Sequence, residues 1–120
     1  MIELLKRAPW RFRKSLGYCR DGFRAAFQKE ESFRLECLAF AILLAGLALS
    51  SWPAWKCLAM TASFLLIPLV EAVNSALEDV CDLVTREHSA SVKNAKDKGA
   101  LAVLLAILVN AAALLALWLA

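Results

Sequence analysis

The chain has 120 residues, 61% of them hydrophobic, and a formal net charge of only +3. That hydrophobic fraction excludes an ordinary soluble domain, and the charge is too small to imply a nucleic-acid partner. Four cysteines without a C-x-x-C pair, together with a single histidine, exclude a zinc site, a small-protein disulfide framework and histidine-rich metal chemistry. What remains is one membrane domain covering residues 1–120.

Residues 1–30 read as an amphipathic helix, broken near Pro9. Phe12, Leu16, Cys19, Phe23, Ala26 and Phe27 form an apolar stripe, and Arg7, Arg11, Arg13, Lys14, Arg20 and Arg24 lie mostly off it. Basic residues opposite an aromatic face describe a helix lying in the headgroup plane. The charge of the first 36 residues leaves no room for a cleavable signal peptide, so the membrane spans are expected to direct insertion.

Nineteen uncharged residues, 37–55, separate Glu36 from Lys56, enough for a first span over about 33–51. Ser50, Ser51, Trp52 and Pro53 read as a tight turn, with Trp52 and Trp55 as interfacial anchors. A second span is expected over 54–85, bent by Pro68 just before Glu71. Residues 86–98 are polar and read as a loop. A third span follows over 97–119; its apolar run, 99–120, is interrupted only by Asn110, which suits a helix–helix hydrogen bond.

Loop charge predicts the orientation. The first 36 residues hold nine Lys or Arg and the 86–98 segment four, whereas the 50–56 turn holds only Lys56. The positive-inside rule puts the N-terminus in the cytoplasm and the C-terminus across the membrane; in a bacterium these are the two sides of the inner membrane.

The most informative stretch is 71–82, E-A-V-N-S-A-L-E-D-V-C-D. At 100° per residue, Glu71, Asn74, Ser75, Glu78 and Asp82 share one narrow helical face. A carboxylate at membrane depth costs roughly 3 kcal/mol or more, so such a face calls for a metal ion, a cation or a proton. Carboxylates plus phosphate oxygens are how Mg²⁺ is usually held, and Lys93, Lys96 and Lys98 can meet a polyphosphate. A deeper Glu71 can act as a general base, because burial raises a carboxyl pKa into a useful range. No Walker or protein-kinase phosphate loop is present. The residues alone leave phosphoryl transfer and proton-coupled transport both open.

E-A-V-N-S-A-L-E-D-V-C-D at 71–82 and A-K-D-K-G-A at 95–100 closely resemble signatures of the small prokaryotic diacylglycerol kinase family. F-R-A-A-F-Q-K-E at 23–30 and F-R-L-E at 33–36 match two more of its blocks, and the resemblance extends over about residues 10–118. It implies an all-α integral-membrane lipid kinase with one amphipathic surface helix and three spans per subunit. Such kinases form homotrimers with active sites shared between subunits, and phosphorylate diacylglycerol to phosphatidic acid with Mg²⁺ and ATP. Position by position, the resemblance makes Glu71 the proton acceptor, supported by Asn74, and Glu30 and Glu78 the metal-binding carboxylates. Arg11, Tyr18, Glu87, His88, Ser89, Lys96 and Asp97 fall in the nucleotide-contacting set, which also takes in Glu30 and Glu78. Arg24, Ser32, Phe33, Arg34 and Glu36 fall where the lipid is approached, along with Arg11 and Glu71.

Four departures bear on substrate choice rather than reaction type. Leu83 stands where diacylglycerol-using members carry Arg, and His88 where they carry Tyr. Arg20 replaces a Trp, and Cys57 a basic residue. Undecaprenol kinase is therefore the alternative activity. A proton-coupled transporter is more distant, since such transporters typically have four spans and no long surface helix.

Overall fold

The computed structural model describes every residue except Met1, Arg86 and His88, with side chains from Trp10 onward. The side chain of Arg7 therefore lies outside the described set. Five helices follow in order: α1 (Ile2–Lys29), α2 (Glu31–Leu49), α3 (Ala54–Phe64), α4 (Leu66–Val84) and α5 (Ala90–Leu119). No strand occurs among the described residues. By its contacts the chain divides into two units, 1–34 and 35–120, with the boundary inside α2.

In the first unit, α1 continues through Pro9 without the expected break. Its aromatic stripe is open: Phe12 is 65% exposed and Phe23 55%. Open aromatics backed by arginines are what an interfacial helix presents to a bilayer. Lys14 lies over the rings of Trp10 and Tyr18, 5.3 and 5.8 Å from their centroids.

Glu30 is the one non-helical residue between α1 and α2. Its N–H donates to the Ala26 carbonyl at 2.9 Å, ending α1, and its carbonyl accepts from Arg34 N–H at 3.4 Å as α2 begins. The Arg34 guanidinium reaches back to the Phe27 and Gln28 carbonyls, at 3.2 and 3.4 Å, and caps α1. Phe33 is buried, edge-on to Phe23 at 5.3 Å. A charge-assisted cap and a ring contact thus order the residues around Glu30 within the first unit.

The second unit is built from α3, α4, α5 and most of α2. Phe40 of α2 stacks on Phe64 of α3 at 5.5 Å. Ser50 Oγ donates to the Leu47 carbonyl and accepts from Trp52 N–H, closing the 50–53 turn. Lys56 lies over both Trp52 and Trp55. The helix after the turn breaks at Leu65, three residues before Pro68. Proline acts upstream: without an N–H it cannot bond the carbonyl four residues earlier, and its ring crowds that carbonyl, here Phe64. Asn110 Nδ2 donates to Ser63 Oγ at 3.1 Å, tying α5 to α3 as the sequence suggests.

Three segments are long and apolar enough to cross a membrane: Glu31–Leu49, Ala54–Val84 and Ala90–Leu119. Among the described residues of this unit only Met60, Ile67, Cys81 and Ala106 are buried hydrophobics, while leucines such as Leu69 and Leu108 are more than half exposed. In water that would be an inadequate core; in a bilayer the lipid covers these faces. The chain is an all-α membrane protein. At 1.5 Å per residue, the 31 residues of α3–α4 reach about 46 Å, longer than a ~30 Å hydrocarbon core. One end must emerge, and the acids mark which. α5 starts at Ala90, so most of the polar segment read as a loop is helix. Its Lys93 and Asp97 pair at 2.6 Å with the i, i+4 spacing that supports a solvated helical turn.

Candidate functional site

The site in the second unit lies where the C-terminal half of α4 meets the start of α5. A short connection joins them, with Glu87 N–H donating to Thr85 Oγ1 at 3.0 Å. The two helices therefore run antiparallel, with their polar ends together. Cys81 of α4 and Gly99 of α5 are buried, and a glycine at such a crossing lets backbones approach closely.

Along α4, Glu71, Asn74 and Ser75 are half-buried, whereas Glu78 and Asp82 are exposed. The face read from the sequence thus grades from sheltered to open. Asn74 Nδ2 donates to Glu78 Oε1 at 3.3 Å, fixing one carboxylate oxygen through a neighbour one turn away. One turn further, Asp82 Oδ1 accepts from Lys96 Nζ at 2.7 Å, an ion pair between the helices.

Beside this pair an open cavity of about 530 Å³ is lined by Asp82, Thr85, Glu87, Lys93, Lys96 and Asp97, among others. Ser89 also lines it. Four residues singled out in the sequence for nucleotide contact, Glu87, Ser89, Lys96 and Asp97, therefore share one cavity. His88 lies outside the described residues. Thr85 received no role from the sequence, whereas Lys93 was read there with Lys96 and Lys98 as able to meet a polyphosphate. The signal for Asp82 was its place on the acidic face; Thr85 comes into view only when α5 folds back.

The remaining candidates are placed as follows. Arg11, Tyr18, Arg24, Ser32 and Arg34 are exposed in the first unit, Glu30 is half-buried and Phe33 buried. Arg34 is engaged in capping α1, and Arg24 lines an apolar groove on α1 with Phe23 and Phe27. Glu36, in the second unit, is half-buried.

Among the described residues no group of three or more His, Cys, Asp or Glu forms a metal cage. Mg²⁺ does not require one: one or two carboxylates, with substrate phosphates and water, are its usual set. An exposed glutamate steadied by an amide, close to a lysine-lined cavity, fits that mode.

The family model for prokaryotic diacylglycerol kinase matches residues 17–118. The chain belongs to this family. Its similarity to curated members is of the same extent. It is 38% identical to the diacylglycerol kinase of Escherichia coli strain K12 over 99 residues, covering 80% of this chain and 79% of that one. It is 36% identical to the diacylglycerol kinase of Pseudomonas aeruginosa over 99 residues, covering 82% and 80%. The Haemophilus influenzae diacylglycerol kinase is 32% identical over 93 residues, covering 78% and 79%. The matched region of this lipid-kinase family includes all of α2 to α4 and the whole junction of α4 with α5.

Proposed function

We infer that this chain transfers the γ-phosphoryl group of ATP to the primary hydroxyl of diacylglycerol, giving phosphatidic acid and ADP. The observation that carries this reading is the graded face of α4. A half-buried Glu71 lies two turns from an exposed, amide-tethered Glu78, which in turn lies close to the Lys96 cavity. A lipid hydroxyl arrives at the membrane boundary and a polyphosphate from water, so a site joining them needs such a gradient.

Glu71 accepts the hydroxyl proton as the oxygen attacks phosphorus. Its half-buried position on α4 suits a general base that meets the hydroxyl at the lipid boundary. Seven residues of helix separate it from Glu78, about 10 Å, a span that a bound triphosphate can bridge. Glu78 is the metal-binding carboxylate, oriented by Asn74, and Glu30 the second by the motif match. Mg²⁺ bound there with the phosphates would neutralise charge as the phosphoryl group moves. Lys96, Ser89, Glu87 and Asp97 hold the nucleotide. Phosphoryl transfer asks chiefly for positioning and charge compensation, and these side chains offer both.

The enzyme works as a homotrimer with shared sites in the bacterial inner membrane, its basic segments cytoplasmic. Loop charge supports that orientation, and the family resemblance supports the assembly. Purified protein given labelled ATP, Mg²⁺ and either diacylglycerol or undecaprenol should make phosphatidate in the first reaction. Polyprenyl phosphate alone would reassign the substrate. Glu71→Gln should lower turnover at least about 100-fold while nucleotide binding persists; near-normal turnover would remove the base assignment.

A further inference from the structure

We propose that Gly99 is a positioning residue for the metal-binding carboxylate, acting through the Asn74 amide. This rests on the reading of Glu78 as a metal ligand and extends the site to a residue with no polar side chain.

The argument starts from the orientation of the amide. Asn74 Nδ2 faces Glu78 Oε1 at 3.3 Å, and a carboxylate only accepts, so the amide nitrogen must point that way and the oxygen the other. The other way leads to α5. Asn74 Oδ1 is buried, with no hydrogen-bond partner among the described residues. It occupies the space a side chain at position 99 would fill: a β-carbon at Gly99 would overlap this oxygen and lie 3.4 Å from Leu77 Cδ2. Gly17, Gly22 and Gly46 have nothing within 4 Å of the same position. Of the four glycines, only Gly99 provides a seat.

With alanine at 99, the amide must turn or withdraw, because its oxygen is the obstructing atom and Leu77 closes one side. Rotation enough to clear a methyl group carries Nδ2 away from Glu78. The carboxylate then loses the donor that fixes it before a metal arrives. Partners that orient a ligand typically contribute 10- to 100-fold in metal affinity, so the effect should be visible in binding.

The test is Mn²⁺ binding in the presence of a non-hydrolysable ATP analogue, followed by EPR on the full-length protein. Gly99→Ala and Asn74→Ala should each weaken binding roughly tenfold or more. The double variant should bind no more weakly than Asn74→Ala alone, because the seat has no purpose without the amide. Independent, multiplying losses, or a Gly99→Ala protein with wild-type affinity, would overturn the proposal. If Gly99→Ala alone does not fold, the double variant decides: removing the amide opens the space, so it should fold and bind like Asn74→Ala. A double variant that still fails to fold would refute the seat. Glu78→Gln in the same assay separates the two claims, since unchanged affinity there would remove the metal role itself.

Discussion

Glu71, Glu78 and Asp82 are acids on one face of one helix, yet their surroundings differ. Glu71 is sheltered, Glu78 is held by an amide, and Asp82 is engaged by Lys96 at 2.7 Å. The shared face was legible from the 100° step alone, because a helix's own periodicity fixes it. The difference in surroundings needed α5, since the residues opposite Asn74 and Asp82 come from a helix whose register no local pattern sets. Gly99 shows this most plainly: a glycine in A-K-D-K-G-A carries no sign that an amide sits over it. The Asp82–Lys96 pair yields a prediction about stability. Their side chains are 62% and 34% exposed, so water screens the pair and it adds little to stability. Asp82→Asn should therefore leave the midpoint of thermal unfolding in detergent nearly unchanged. A larger loss would make the pair a structural clamp, and Lys96 would then be unavailable for phosphate.

The elements were legible where hydropathy decides them and less so where two signals compete. Residues 37–55 and 99–120 announce spans by the absence of charge, and α2 and α5 follow. The start of α5 was harder. Residues 90–98 carry loop-like polarity, but Lys93 and Asp97 complement each other one turn apart, and the helix continues beyond its apolar stretch. Pro68 was legible as a bend, but its effect falls one turn upstream at Leu65, where the missing N–H is felt. Between elements, the Asn110–Ser63 hydrogen bond fixes α5 against α3. Such bonds average about 0.6 kcal/mol and reach about 1.7. Asn110→Leu and Ser63→Ala should each cost about that much in a reversible unfolding assay, and the double variant no more than the larger single loss. Additive losses would mean that the two side chains act independently.

For the molecule as a whole, exposed apolar faces are the main fact. Leu69, Val73, Val80 and Leu83 lie more than half exposed on α4, the helix that carries the acids. Lipid can cover such faces, and so can another subunit. The sequence reaches this level only through the family resemblance, because periodicity shows that a face is apolar and not what covers it. A shared-site homotrimer makes a demanding prediction. If each site takes Glu71 from one subunit and Glu30 from its neighbour, Glu71→Gln and Glu30→Gln chains should each be inactive alone. Mixed before reconstitution, they should regain activity, since some sites then collect both intact carboxylates. The assay is phosphatidate formation against mixing ratio, with a peak near equal proportions. A mixture as inactive as its parts, though shown by cross-linking to contain mixed oligomers, would confine each site to one chain. Glu30 and Glu71 would then have to serve one site from the same chain.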